Sequence, residues 1–422
     1  MLISFRLENH RSIRDEQAFS MEPGRVDGDG GVREDGEEPL LSVAAIYGPN
    51  ASRKSNLLSG MAFMRSAVVH SHRFYSPDGG VPRRPFAWGP KATEPSLFEV
   101  VFRSGGIRYE YGFVADDVKF VEEWLYAYPS SRKQVWFERD GNDFKFGEHL
   151  KGENRVAEKV TRPNSLFLSA AAQNHHEQLA PVFRWFSSVR AHNVPWESGS
   201  FDGLRRSRPE DQFIRWWSRS SKDQVSLLDE DSGSDVETRA ARFRKLLHAA
   251  DFGIVDLRVS GEGSDSARRV MVKHQSESAD AWLPLEEESH GTRQLFRLAP
   301  SVLDALSYGS TVLIDELEAS LHPLLALQLV RTFNDPKQNP RNGQLIFSTH
   351  DTNLLGTIFG TPPLRRDQVW LTEKDNEGAS RIYPLTDYKP RKAENLERGY
   401  LQGRYGAIPF LENIASTGKA KE

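Results

Sequence analysis

The chain's apolar runs predict an α/β fold whose strands carry chemistry to one sheet edge, and two stretches support that prediction. Thr311-Val-Leu-Ile-Asp-Glu-Leu-Glu-Ala-Ser-Leu-His-Pro323 contains an apolar strand that ends abruptly in Asp315-Glu316. A buried strand of this kind delivers two carboxylates, one suited to hold a magnesium ion and the other to orient an attacking water. Far upstream, the apolar run Leu41 to Tyr47 leads into Gly48-Pro-Asn50-Ala51-Ser52-Arg53-Lys54-Ser55, followed by a helical pattern with Leu57, Leu58, Met61 and Met64. This reads as strand, phosphate loop and helix: backbone N–H groups and a helix N-terminus surround phosphates, while Lys54 and Ser55 reach oxygen and magnesium. Together the two stretches imply nucleotide hydrolysis.

One loop position departs from the pattern. G-x-x-x-x-G-K-[ST] expects glycine where Arg53 stands, because a residue without a Cβ lets the backbone approach the phosphate. The guanidinium could add a planar phosphate contact and leave turnover intact, or its bulk could leave a slow or binding-only site; the sequence keeps both readings open. A third stretch, Glu288-Ser289-His290-Gly291-Thr292, opens a helical pattern with Leu295, Leu298, Ala299, Val302, Leu303 and Leu306. Ser and Gly at a helix start form an ordinary N-cap, or a place where an anion binds. A fourth, Gln344-Leu-Ile-Phe-Ser-Thr-His350-Asp351, puts a histidine after an apolar strand.

In this order the four stretches resemble the ATP-binding-cassette ATPases of the SMC and RecF type. With Asn9-His-Arg-Ser12 and the tail Tyr400-Leu-Gln-Gly-Arg-Tyr-Gly-Ala-Ile-Pro409, they look like the bacterial RloA, AbiLi and AriA group of ATP-binding proteins, found with restriction, abortive-infection and anti-phage loci. The resemblance implies an ABC-type P-loop ATPase head and the cofactors ATP and Mg2+. Nucleotide contacts are then expected from Arg11, Gly48, Asn50, Ala51, Ser52, Arg53, Lys54, Ser55 and Asn56. Ser55 and Asp315 would anchor the metal, Glu316 would be the general base, and His350 would sense the γ-phosphate. Ser289 and Gly291 would reach across to a second copy's nucleotide, and Ser320 would help join the two sites. Such folds also carry a glutamine at the metal, for which Gln173 in Ser165-Leu-Phe-Leu-Ser-Ala-Ala-Ala-Gln-Asn174 is the candidate. The resemblance further implies an ATP-held homodimer or a higher oligomer, and a separate effector, an RloB-like or Toprim-type nuclease, under its control. A non-hydrolysing ATP-bound scaffold and a RecF-like DNA-repair ATPase are the alternatives.

Composition fits a cytoplasmic enzyme: 422 residues, 38% hydrophobic, net charge −4 and no cysteine, so thiolate metal sites are excluded. No apolar run approaches the ~20 residues of a membrane helix. Basic clusters such as Arg205-Arg206, Arg242 to Lys245, Arg268-Arg269 and Lys389 to Lys392 are scattered, which favours solvated faces over a nucleic-acid site. The 234 residues from Ser55 to Ser289 demand an insert; heptads sustained over several turns are absent there, and Pro82, Pro85, Pro90, Pro95, Pro163, Pro195 and Pro209 interrupt it, against a long coiled coil. The expected divisions are 1–75 with the phosphate loop, a β-rich elaboration over 76–160, a helical insert over 161–250, and 251–422 with the remaining motifs. Glu22 to Pro39 and Asp229 to Glu237 read as exposed loops, and Gln368–Leu371 with Arg381–Tyr383 as a strand pair turning through Asp375-Asn-Glu-Gly378.

Overall fold

Val43-Ala-Ala-Ile-Tyr47 is buried at every position, the mark of a parallel strand covered on both faces. The computed structural model describes residues 1–24, 31–35, 38–49, 52–195, 209–220, 239–250, 253–261, 268–278, 280–358, 360–391 and 394–409. Its N-terminal half contains β1 (Leu2–Glu8), β2 (Gln17–Ser20), β3 (Val32–Asp35), β4 (Glu38–Leu41), β5 (Val43–Tyr47) and α1 (Ser55–Phe74). There follow β6 (Ser96–Ser104), β7 (Ile107–Ala115), β8 (Phe120–Tyr128), β9 (Gln134–Asp140), β10 (Asp143–Phe146), α2 (Asn154–Val160), α3 (Phe167–Gln173), α4 (Ala180–Ser188) and β11 (Arg190–His192). The C-terminal half begins with α5 (Pro209–Ser220), α6 (Arg239–Ala250), β12 (Ile254–Ser260), β13 (Arg269–His274), β14 (Trp282–Pro284), α7 (His290–Tyr308) and β15 (Thr311–Ile314). It ends with α8 (Leu317–Ser320), α9 (Pro323–Asn334), β16 (Gln344–Ser348), β17 (Val369–Lys374), β18 (Ser380–Pro384) and α10 (Leu396–Leu401).

The α/β expectation holds. Six strands form one sheet in the order β11-β15-β16-β5-β17-β18, parallel except for the edge hairpin β17–β18. Side-chain alternation divides its core in two: Val43, Ala45, Val312, Ile314, Leu345 and Phe347 face α5, α6, α7 and α9. Ala44, Ile46, Leu313 and Ile346 face α1 and a second, seven-stranded antiparallel sheet, β10-β9-β8-β7-β6-β1-β2. The stretch 76–160 thus continues the sheet begun by β1 and β2. The hairpin at Asp375–Gly378 forms as expected, because the Asp375 carboxylate accepts from Glu377 N and Ala379 N.

Two expectations are corrected. Glu22 to Pro39 is more than a loop, for β3 lies within it and pairs with β4. The region 177–250 is helical in α4, α5 and α6 but also contains β11, which pairs with β15. Arg190-Ala-His192 is too short and polar to announce a strand; its neighbour in the sheet makes it one. Residues 229–237, 205 and 206 lie outside the described residues. Among the described residues no helix is long and apolar enough to cross a membrane.

A buried charge pair ties α3 to the antiparallel sheet. Glu123, fully buried, accepts from Tyr111 Oη (2.9 Å), Leu168 N (3.0 Å) and Phe167 N (2.6 Å), with Arg139 at 3.7 Å. Burial raises the pKa of the carboxyl and lowers that of the guanidinium, each opposed by the partner's charge. Glu123→Ala strands the arginine and should cost about 3–5 kcal/mol, read from urea unfolding.

Candidate functional site

Because β5, β15 and β16 are parallel and in register, with Ile46 opposite Ser348 and Ile314 opposite Phe347, their carboxyl ends open on one edge. The loop Gly48 onward, Asp315-Glu316 and Thr349-His350 therefore converge, where open α/β sheets place their ligands. Lys54 is the centre of the convergence. Its ammonium, 5% exposed, donates to Gly48 O at 3.0 Å and meets His350 Nε2 at 2.7 Å. Both partners are neutral acceptors, and among the described residues Lys54 forms no ion pair. Burial pushes its pKa down to about 8, against the pull of Glu318, Asp315 and Glu316. Partial burial and the Lys54 ammonium hold His350 below its ordinary pKa too, which suits an imidazole that accepts a hydrogen bond.

The loop is fastened from behind by a chain of hydroxyls. Ser52 Oγ donates to Pro49 O (2.8 Å) and pairs with Thr372 Oγ1 (2.7 Å). Ser380 Oγ donates to Ser52 O (2.9 Å) and pairs with Ser12 Oγ (2.6 Å), which accepts from Asn56 Nδ2 (2.6 Å). The side chains of Ser52 and Asn56, expected at the ligand, instead hold the loop in place. A Cβ at Gly48 would lie 2.3 Å from Thr372 Oγ1, so glycine is required there by close approach. Arg53 keeps φ at +57°, the left-handed conformation that favours glycine, with its side chain exposed. Ser55 opens α1, half-buried. Asn50 and Ala51 lie outside the described residues.

On the carboxylate strand, Asp315 is buried, accepts from Ser348 Oγ at 2.5 Å and donates its N–H to His192 O at 3.0 Å. Glu316 follows at φ +52°, its N–H on Ser348 Oγ (2.8 Å) and its side chain exposed at the edge. Glu318 accepts from Thr349 Oγ1 (2.7 Å) and His350 N (2.6 Å), so it positions the histidine. That third carboxylate had a sequence signal, its place in Asp-Glu-Leu-Glu, but no role could be read from it. His192 and Asn193 had no sequence signal because β11 has none; His192 ends that strand, its carbonyl accepting from Asp315 N, and Asn193 follows it.

Other expected residues sit elsewhere. Gln173 is exposed at the end of α3, whose Ser169 Oγ accepts from His72 N near the far end of α1. With roughly 1.5 Å per helical residue, that contact lies about 25 Å from Ser55, so the structure does not bring Gln173 to the metal side. Arg11, at φ +54°, stands in the turn after β1 and bonds to Pro195 O in the loop after β11. Ser289 caps α7, its Oγ accepting from Thr292 N (3.1 Å), and both Ser289 and Gly291 are exposed. The Ser320 side chain lies outside the described residues.

The family profile described as "AAA domain, putative AbiEii toxin, Type IV TA system" matches residues 43–356, from β5 past His350. The chain belongs to this AAA family. It is accordingly a P-loop ATPase by class. Among solved structures it is similar to an SMC head domain from Thermotoga maritima, at 15% identity over 91% of this chain and 98% of that one, TM-score 0.38. It is also similar to an Smc head domain with an extended coiled coil bound to the C-terminal domain of ScpA, from Pyrococcus furiosus. There the identity is 13%, the coverage 96% of this chain and 98% of that one, and the TM-score 0.39. No curated protein matches the sequence.

The site of this AAA-family chain fits a magnesium-bound nucleoside triphosphate. Lys54 is a buried cation set against neutral acceptors at a helix N-terminus, a setting that an anion completes. Lys54 and the loop would hold the phosphates, and Ser55 with Asp315 the metal. The unfolded chain binds more protons than the folded one between about pH 8 and the ordinary value of 10.5, so ligand-free stability should rise with pH through that window. An arriving phosphate restores the charge of Lys54. Calorimetry of ATP binding at pH 8.5 in buffers of different ionisation enthalpy should therefore show uptake of roughly 0.7 proton, absent in Lys54→Met. Arg53→Gly and Glu316→Gly should each raise ligand-free stability by about 1 kcal/mol by relieving left-handed backbone, seen as a higher urea midpoint at constant slope.

Proposed function

We propose that the protein binds ATP with Mg2+ and hydrolyses it between two copies. The observation that carries this reading is the buried Lys54 ammonium, held by Gly48 O and His350 at the edge where Asp315 and Glu316 emerge. Magnesium, when bound, supplies charge neutralisation of the phosphates and orients them. Glu316, exposed at that edge, takes the proton of the attacking water, and Glu318 keeps His350 in reach of the terminal phosphate.

The second copy enters through α7. A turn at Gly309-Ser310 folds this helix back along β15. Its 19 residues span about 28 Å against about 13 Å for the four-residue strand, so its first turn overshoots the sheet edge. Among the described residues a Cβ at Gly291 would find nothing nearer than Ser289 Oγ at 3.8 Å, so the helix start stands open there. The open helix start with its capping serine suits the phosphates of a partner's nucleotide.

We further propose that closure and hydrolysis regulate a separate effector in an anti-phage defence system. The motif resemblance and the toxin–antitoxin wording of the family description support this role. A second reading rests on the left-handed Arg53: a loop with slow turnover would make ATP a structural ligand of a scaffold.

Steady-state ATP hydrolysis by the parent, Glu316→Gln and Arg53→Gly separates the two. Turnover reduced roughly a hundredfold in Glu316→Gln, with an ATP-dependent dimer retained by light scattering, is the expected result; equal rates would remove Glu316 from its role. Turnover seen only in Arg53→Gly would favour the scaffold. Ser289→Arg should abolish ATP-dependent association while leaving ATP binding intact, and unchanged association would exclude the arrangement in which α7 crosses to the partner.

A further inference from the structure

We propose that Trp88 is the platform on which the base of the bound nucleotide stacks, an inference that rests on the nucleotide reading above. Trp88 is 52% exposed, yet it is held firmly. Its Nε1 donates to Glu377 O at 3.1 Å, and the Phe86 ring meets it edge-on at 4.8 Å and 61°. Gly378 lies so close that a Cβ there would stand 2.8 Å from Trp88 Cζ2. A large apolar ring fixed along one side and open on the rest is what a planar ligand uses.

Its position follows from the same bonds that fasten the phosphate loop. Phe86 N donates to Asn9 Oδ1 (2.8 Å), and Arg11 N to Arg84 O (2.7 Å), which seat the Trp88 loop on the turn after β1. That turn bonds through Ser12 O to Ser380 N (2.7 Å), and Ser380 Oγ reaches Ser52 O in the phosphate loop (2.9 Å). Gly378, in the turn against the indole, precedes Ser380 by two residues, which separates them by at most about 7 Å. The ring thus stands within roughly 15 Å of the loop, close enough for a nucleoside triphosphate to span from its phosphates to its base.

Stacking on an aromatic side chain tolerates every base, so Trp88 sets affinity for nucleosides over bare phosphates rather than adenine over guanine. The test is calorimetric binding of ATP and of inorganic tripolyphosphate, each with Mg2+, to the full chain, Trp88→Ala and Trp88→Phe. Thermal melts would confirm that both variants fold. The expected result is ATP affinity about tenfold weaker in Trp88→Ala, largely restored in Trp88→Phe, with tripolyphosphate affinity unchanged. Unchanged ATP affinity in Trp88→Ala overturns the proposal, as does an equal loss for both ligands, which would mean that Trp88 acts through the loop. Tripolyphosphate binding in the parent keeps the phosphate reading alive in either case. If the parent binds neither ligand, the nucleotide reading falls, and the platform with it.

Discussion

The constraint on which this structure turns is the placement of one ammonium in a buried setting with no counter-ion in contact among the described residues. Burying the Lys54 charge is costly, and the two neutral acceptors that receive it, Gly48 O and His350 Nε2, offset only part of that cost. The three carboxylates nearby pull its pKa upward without touching it. A site prepared in this way gains most from an anion of several charges, since each phosphate oxygen supplies an interaction that the ligand-free protein lacks. His350 is drawn into the same balance: it accepts from Lys54 only while neutral, and a phosphate that takes the ammonium frees the ring to turn or to bind a proton.

Part of the backbone strain among the described residues lies around that centre. Arg53 and Glu316, on different strands' ends, both hold left-handed backbone, and Arg11 in the opposing turn does so as well. Ordinary L-residues in this region cost on the order of 1–3 kcal/mol each and persist where surrounding contacts overdetermine them. For Glu316 the restraint is visible: its N–H is fixed by Ser348 Oγ, which also holds Asp315, so one serine spaces the two carboxylates. For Arg53 the restraint comes from the residues on either side, Ser52 clamped by Thr372 and Ser380, and Lys54 by Gly48.

The α/β class, the phosphate loop and the carboxylate strand were legible because each is a local signal: an apolar run, a turn composition and a helix start lie within about a dozen residues of each other. What was illegible is non-local. β11 exists because β15 offers it an edge, so neither it nor the His192-Asn193 end could be read from Arg190-Ala-His192. Gln173 closes an apolar stretch, but that stretch is a short helix whose apolar residues pack against α1 and the antiparallel sheet, which carries its end away from the edge. Glu318 was in plain sight, yet its task depends on Thr349 and His350, some thirty residues later.

The hydroxyl chain gives the discontinuity of the fold a physical meaning. Ser12, Ser52, Asn56, Thr372 and Ser380 come from the first and the last quarter of the sequence, and each hydrogen bond among them joins segments that the chain itself does not. Buried polar networks of this sort reward complete satisfaction and punish partial loss, so they specify one arrangement. A displacement of the β17–β18 hairpin or of the turn after β1 would therefore be felt at Ser52 and, through the loop, at Lys54. Conversely, a ligand that tightens the loop also tightens the turn and hairpin that carry the Trp88 contacts.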